Sequence, residues 1–210
     1  MCFNEKTSLV TFAIGTIFNI IGIAYHKDKN FTAMAIAWEW VLLMQIFDAI
    51  AWRNKTCGSS LNKFATKGAY VANLMQPIIV FLAFISITDA SQQFKLVSII
   101  IICIYISWIL ASSTRVDDSY CLTTKQNCSH LDYYWWENLG KNSTFIYLTV
   151  LLSIIIIITR PIKFSIFTGL YIIITLIISS FIYPCGAGSI WCWFAAFAPI
   201  FNLFLFKYLK

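Results

Sequence analysis

The chain has 210 residues, 60% hydrophobic and 11% charged, with a net charge of +6 and a mean hydropathy of +0.76. Soluble domains carry about 45–50% apolar and 25% charged residues, so this composition excludes an ordinary soluble fold and matches an integral membrane protein. The positive charge is spread over short connections and forms no basic block, which excludes a nucleic-acid partner and leaves basic flanks on a lipid bilayer.

A helix needs roughly 20 apolar residues to cross the hydrocarbon. Seven segments qualify in chain order: 8–25, 33–52, 69–88, 94–112, 144–160, 163–183 and 188–206. No basic stretch with a short apolar core and a small-residue cleavage site opens the sequence, so the first run is expected to be retained. Backbone groups in lipid must be satisfied internally, and the alternating polarity of a barrel is absent, so the elements are helices. The expected fold class is an all-α, seven-transmembrane-helix bundle forming one domain over 1–210. The fifth segment is short and stops at Arg160-Pro161. With the sixth it makes either a helical hairpin or one broken re-entrant unit.

The second segment contains "WEWVLLMQIFDAIAW", residues 38–52. At 100° per residue, Trp38, Gln45, Asp48 and Trp52 share a stripe, whereas Glu39 points nearly opposite. Ionisable groups inside membranes face a bundle interior or a watery cavity. Asp48 is therefore the principal candidate. Glu39 is a secondary acid, expected either to act on the inner side or simply to snorkel or cap. The third segment places Asn73 and Gln76 at i,i+3, before Pro77, at the depth of Asp48. The last segment begins "SIWCWFAA" and contributes Trp191 and Cys192. The expected intramembrane polar set is Gln45, Asp48, Trp52, Asn73, Gln76 and Trp191, which either lines an outward-facing cavity or glues helices together.

Residues 113–143 form the one long connection, rich in acids and carrying Tyr133-Tyr134-Trp135-Trp136. Such aromatics favour the membrane interface, and a docking surface for a protein partner is the sharper alternative. Lysine and arginine counts are balanced between the two sides. Cys2, Cys57, Cys121, Cys128, Cys185 and Cys192 all fall on one side, which points to an oxidising compartment and disulfides. Sequons at Asn54, Asn127 and Asn142 share that side, and one at Asn30 does not. The N terminus is therefore expected outside or in the lumen and the C terminus in the cytoplasm. Six cysteines allow about 15 connectivities. The preferred pairs are Cys121–Cys128, Cys2–Cys192 and Cys57–Cys185.

Two histidines and no CxxC spacing disfavour a metal site, a zinc hydrolase and a thiol-exchange enzyme. No cofactor is expected. Retinal needs a lysine inside the last span, and Lys207 and Lys210 are expected beyond it.

The opening "MCFNEKTS", the segment "MQIFDAIAW" and the late "SIWCWFAA" together resemble an uncharacterised heptahelical membrane family with bacterial members and giant-virus relatives. The wording looks closer to the viral branch. By position the resemblance marks Cys2, Phe3, Gln45, Asp48, Trp52, Gln76, Pro77, Trp191 and Cys192, with Asp48 standing where bacterial members carry glutamate. It implies seven spans and no particular activity. The residues then support two functions. One is a channel- or transporter-like protein with Asp48 in an outer polar cavity. The other is a sensor or host-interaction protein acting through a disulfide-stapled 113–143 loop.

Overall fold

The computed structural model describes residues 4–114, 121–124, 130–133, 135–140, 142–183 and 187–209. The described residues are helical, with one isolated antiparallel bridge between Thr124 and Leu131. In chain order the helices are α1 (Glu5–His26), α2 (Lys29–Arg53), α3 (Ser60–Leu74), α4 (Gln76–Ile87), α5 (Gln92–Ser113), α6 (Trp135–Asn138), α7 (Ser143–Ile158), α8 (Ile162–Ile182) and α9 (Ala187–Leu209). Five of them, α1, α2, α5, α8 and α9, are long and apolar enough to cross a bilayer. Helices α3 and α4 pass that test only as a pair bent by 54°, and α7 is a shorter apolar helix.

The helix ends follow from local chemistry. Asn4 accepts from Thr7 N at 2.8 Å to start α1, and Lys27 ends it in the left-handed conformation. Asp28 caps α2 by accepting from Asn30 N and Phe31 N. The expected third span, 69–88, is corrected in two ways. It begins at Ser60, capped by Ser59, and it breaks at Met75. Pro77 has no N–H to give the Asn73 carbonyl, and its ring crowds that carbonyl. Side chains meet the carbonyls beside the break: Trp40 Nε1 donates to Ala72 O at 2.8 Å and Tyr105 Oη to Leu74 O at 2.9 Å. This is how broken helices are tolerated where lipid supplies no partner.

The packing of α1 is inverted relative to a helix of a soluble bundle. The buried residues of α1 are Ser8, Thr11, Gly15, Asn19 and Gly22, a 3-4-4-3 stripe of small and polar groups. Leu9, Val10, Ile17, Ile20 and Ile21 lie exposed on the other face. Helix α8 repeats the pattern in part, burying Ser165, Thr168, Gly169, Thr175 and Ser179 along with Phe164 and Ile172, while exposing Ile166, Phe167, Leu170, Ile173 and Ile177. Small residues at helix contacts with large apolar ones outward suit surroundings of lipid. Helix α2 sits centrally and touches α1, α3, α4 and α9. An added Cβ on Gly15 would come within 2.6 Å of Leu42, and one on Gly22 within 2.4 Å of Phe31, so these glycines set the α1–α2 approach. Lys207, expected past the last helix, lies in the last turn of α9.

Candidate functional site

The site is built around the end of the bundle where α2 finishes. Gln45 is buried and ties three helices: Thr11 Oγ1 of α1 lies 3.1 Å from its Oε1, and its Nε2 donates to Cys192 O of α9 at 2.9 Å. One turn further, Asp48 is 0% exposed. The Tyr133 hydroxyl lies 2.6 Å from both of its carboxylate oxygens. Cys192 and Tyr133 belong to the same buried cluster. Asp48 is thus closed off by Tyr133 and the residues packed with it in this conformation, and the expected opening onto an outer cavity is corrected. A buried carboxyl needs a strong donor, and a loop tyrosine supplies it.

Tyr133 reaches Asp48 because the loop is fastened at several points. Cys57 is bonded to Cys121. Next to it, Asn62 Nδ2 donates to Asn54 O at 2.7 Å and Leu122 O at 2.8 Å, and Leu122 N donates to Thr66 Oγ1 at 2.8 Å. A second limb runs beside the first, with Asp132 N donating to Thr123 O and Thr124 bridging Leu131. Leu122, Leu131, Tyr133, Trp135 and Leu139 then pack into one buried cluster with Met44, Ala65, Ala69 and Cys192. Gly188 in the first turn of α9 makes room for the Tyr133 ring, since a Cβ there would fall 2.8 Å from its Cδ2. Trp135 is 1% exposed. The expectation that Tyr133 and Trp135 anchor at the membrane interface is therefore corrected: these rings face inward. Tyr134 lies outside the described residues.

The preferred disulfides are replaced. Cys57 pairs with Cys121, which leaves neither for Cys185 or Cys128. Cys192 is a free, buried thiol, so it is not paired with Cys2. Cys2, Cys128 and Cys185 lie outside the described residues, as does Asn127.

The other expected residues divide between two places. Trp52 lies on the loop cluster with Lys55 Nζ 4.2 Å from its ring centre. Gln76, 2% exposed, accepts a short hydrogen bond from the Tyr147 hydroxyl of α7. Trp191 donates to Ile172 O of α8 at 3.3 Å. Asn73 is buried, and its Oδ1 has no hydrogen-bond partner among the described residues. Glu39 stands apart from Asp48. Its oxygens accept from Thr16 Oγ1 at 2.7 Å and Asn19 Nδ2 at 2.9 Å of α1, beside a groove of about 300 Å³ that those residues line with Ile20, Ile23, Ala35 and Ile36. It neither snorkels nor caps; it holds α1 against α2.

Tyr133, Thr11, Tyr147 and Asn62 are the partners that sequence reasoning missed. Comparison with known proteins gives no match to a family model, a curated protein or a solved structure. Among the described residues no three His, Cys, Asp or Glu side chains gather as metal ligands.

Proposed function

We propose that the chain is a seven-span integral membrane protein, channel- or transporter-like, in which Tyr133 latches the 113–143 loop as a lid over Asp48. The observation that carries this reading is the fully buried Asp48 carboxyl held at 2.6 Å by a hydroxyl from that loop. An ionisable group under a removable cover has two states: latched when closed, and hydrated when the loop lifts. A proton or cation reaching Asp48 changes the strength of the latch, so occupancy and opening are linked. On this reading the five long helices, the bent α3–α4 pair and α7 supply the seven spans. The Cys57–Cys121 bond supports an oxidising compartment on the lid side, with the N terminus outside or lumenal. A giant-virus origin and membership of the heptahelical family belong to the same proposal and rest on the motifs alone.

The alternative, a sensor or host-interaction protein using the loop aromatics as a docking surface, gains less support. Tyr133 and Trp135 are 6% and 1% exposed and already packed.

The test is ion flux in proteoliposomes, read with an internal pH dye under an imposed proton gradient. Tyr133→Phe, which keeps the ring and removes the latch, is expected to raise proton flux severalfold. Asp48→Asn is expected to suppress it. Flux at the level of protein-free vesicles in the native protein and both variants would refute the transport role.

A further inference from the structure

Three segments meet at the end of the bundle opposite the loop, and their contacts close a triangle. Lys29, at the start of α2, pairs with Asp89 of the α4–α5 turn at 2.7 Å. Phe94, in the first turn of α5, carries the Arg160 guanidinium 4.8 Å from its ring centre. Arg160, in the α7–α8 turn, returns to α2 by donating its backbone N–H to Asn30 Oδ1 at 3.2 Å. Its side chain is pinned as well, since Nη1 donates to Thr159 O at 2.8 Å. Lys95 follows Phe94 directly in the chain. The Lys29 ammonium, helped by the Lys95 charge, holds the exposed Asp89 carboxyl below its usual range. Lys163 stands three residues beyond Arg160, in the first turn of α8.

The charge at this junction is unbalanced. Lys27, Lys29, Lys95, Arg160 and Lys163 lie in the three segments, against the carboxylates Asp28 and Asp89. Asp28 caps α2, and Asp89 is paired with Lys29. Among the described residues, Lys95, Arg160 and Lys163 have no carboxylate within ion-pair distance. Like charges held on one patch repel, so the patch favours an anion. Its surroundings select the kind of anion. Lys95 and Lys163 sit in the first turns of α5 and α8, both long and apolar enough to cross a bilayer. Phe94, Leu96, Ile162 and Ile166 beside them are exposed. An anion seated here lies at the edge of the hydrocarbon, with apolar faces running down from it. A charged head joined to acyl chains matches both features, whereas a soluble anion matches only the first.

We propose that this junction is a binding site for the phosphate of an anionic phospholipid, with Lys29, Lys95 and Arg160 as its cationic contacts. Basic pockets between membrane-spanning helices suit such head groups. On the proposed topology this end faces the cytoplasm, where anionic lipids give the leaflet its negative surface potential. A phosphate held there ties the start of α2 to the α4–α5 and α7–α8 turns. The site rests on the membrane-spanning reading of the helices. It is independent of the Asp48 latch, and it stands whether or not the protein carries ions.

The test is native mass spectrometry of the full chain in neutral detergent, titrated with phosphatidylglycerol and with phosphatidylcholine of the same acyl chains. Phosphatidylglycerol is expected to bind severalfold more tightly. Lys95→Gln and Arg160→Gln should each weaken it at least threefold. Lys63→Gln, near the start of α3 at the other end of the bundle, removes the same charge and should leave it unchanged. The Lys95 side chain makes no hydrogen bond or ion pair with a described residue, so Lys95→Gln carries the test if Arg160→Gln fails to fold. Equal affinity for the two lipids overturns the site. An equal loss in Lys63→Gln means diffuse attraction to a basic protein, and also overturns it. Displacement of phosphatidylglycerol by glycerol phosphate at a similar concentration assigns the patch to a soluble phosphate and overturns the lipid. A chain that stays helical and monodisperse in detergent through any of these failures leaves the membrane reading standing.

Discussion

Tyr133 and Asp48 are 85 residues apart in the chain, and the hydroxyl of one lies 2.6 Å from both carboxylate oxygens of the other. The contact joins a loop outside the helices to the most deeply buried acid of α2.

Tyr133→Phe leaves a buried carboxyl short of a donor, and such a loss costs about 1–3 kcal/mol. Asp48→Asn replaces the carboxyl with an amide and so changes what the Tyr133 hydroxyl meets. Residues in direct contact are coupled. A double-mutant cycle on thermal unfolding in detergent is therefore expected to give a coupling of at least about 1 kcal/mol. Strict additivity would mean that the contact contributes nothing to the fold.

How much of this was legible depends on where each residue's partner comes from. The Gln45–Asp48 stripe is readable because helical spacing alone puts both on one face. The break at Pro77 is readable because the missing N–H is a property of the residue. The start of α3 is not, since Asn62, Lys63 and Lys67 lower the hydropathy of its first two turns while Asn62 is buried by its bonds to the loop. Tyr133 was hidden for a similar reason. Four consecutive aromatics fit an interfacial belt as well as a buried cover, and the fastening of Leu122 to Asn62 and Thr66 accompanies the inward turn of Tyr133 and Trp135. The cysteines show the same limit. Short spacing favours Cys121–Cys128, yet the clip at Leu122 carries Cys121 to Cys57.

That clip makes the disulfide a testable anchor. Non-reducing peptide mapping is expected to recover Cys57 joined to Cys121, across a sequence separation of 64. The loop-entropy relation gives about 4 kcal/mol for a loop of this length closed in a fully unfolded chain, and helices that persist in lipid reduce it. Cys57→Ser is expected to lower Tm and to speed proteolysis within 113–143. A Cys121–Cys128 peptide would overturn the arrangement.

The α1–α2 contact predicts a contrast among glycines. An alanine at Gly22 brings its Cβ to 2.4 Å from Phe31, a ring also packed against Phe206. The ring cannot retreat freely, and overpacking of this kind costs about 1–3 kcal/mol. At Gly169 the nearest atom is Leu152 Cδ2 at 3.5 Å, an ordinary contact. Helix propensity then favours alanine by about 0.5–1 kcal/mol. Thermal unfolding should therefore rank Gly22→Ala below native, and Gly169→Ala level with it or above.

Orientation can be read with the sequons. Asn142, exposed just before α7, lies at the lid end of the bundle, whereas Asn30 lies at the opposite end, its Oδ1 accepting from Arg160 N at 3.2 Å. In glycosylating membranes, modification is expected at Asn142 and not at Asn30, with one mass step lost in Asn142→Gln. Glycan on Asn30 alone would invert the proposed topology.

His130 is expected to make the packing of its segment depend on pH. It is 4% exposed and packs edge-on against Tyr183, and burial holds its imidazole below the ordinary histidine value. A depressed histidine pKa means that the folded loop prefers the neutral ring. Between the folded pKa and the unfolded value of about 6.5, the unfolded loop binds more protons. Stability therefore rises with pH through that window and levels off above it. Acidification below about 6.5 is expected to weaken lid docking. Limited proteolysis of the 113–143 segment should accelerate as pH falls from 7 to 5, measured with a protease whose own pH dependence is calibrated on an unfolded peptide. In His130→Phe, which keeps an aromatic ring against Tyr183 and removes the titrating group, the acceleration should shrink. If the variant and the native protein show the same profile, His130 is not the source of the pH response.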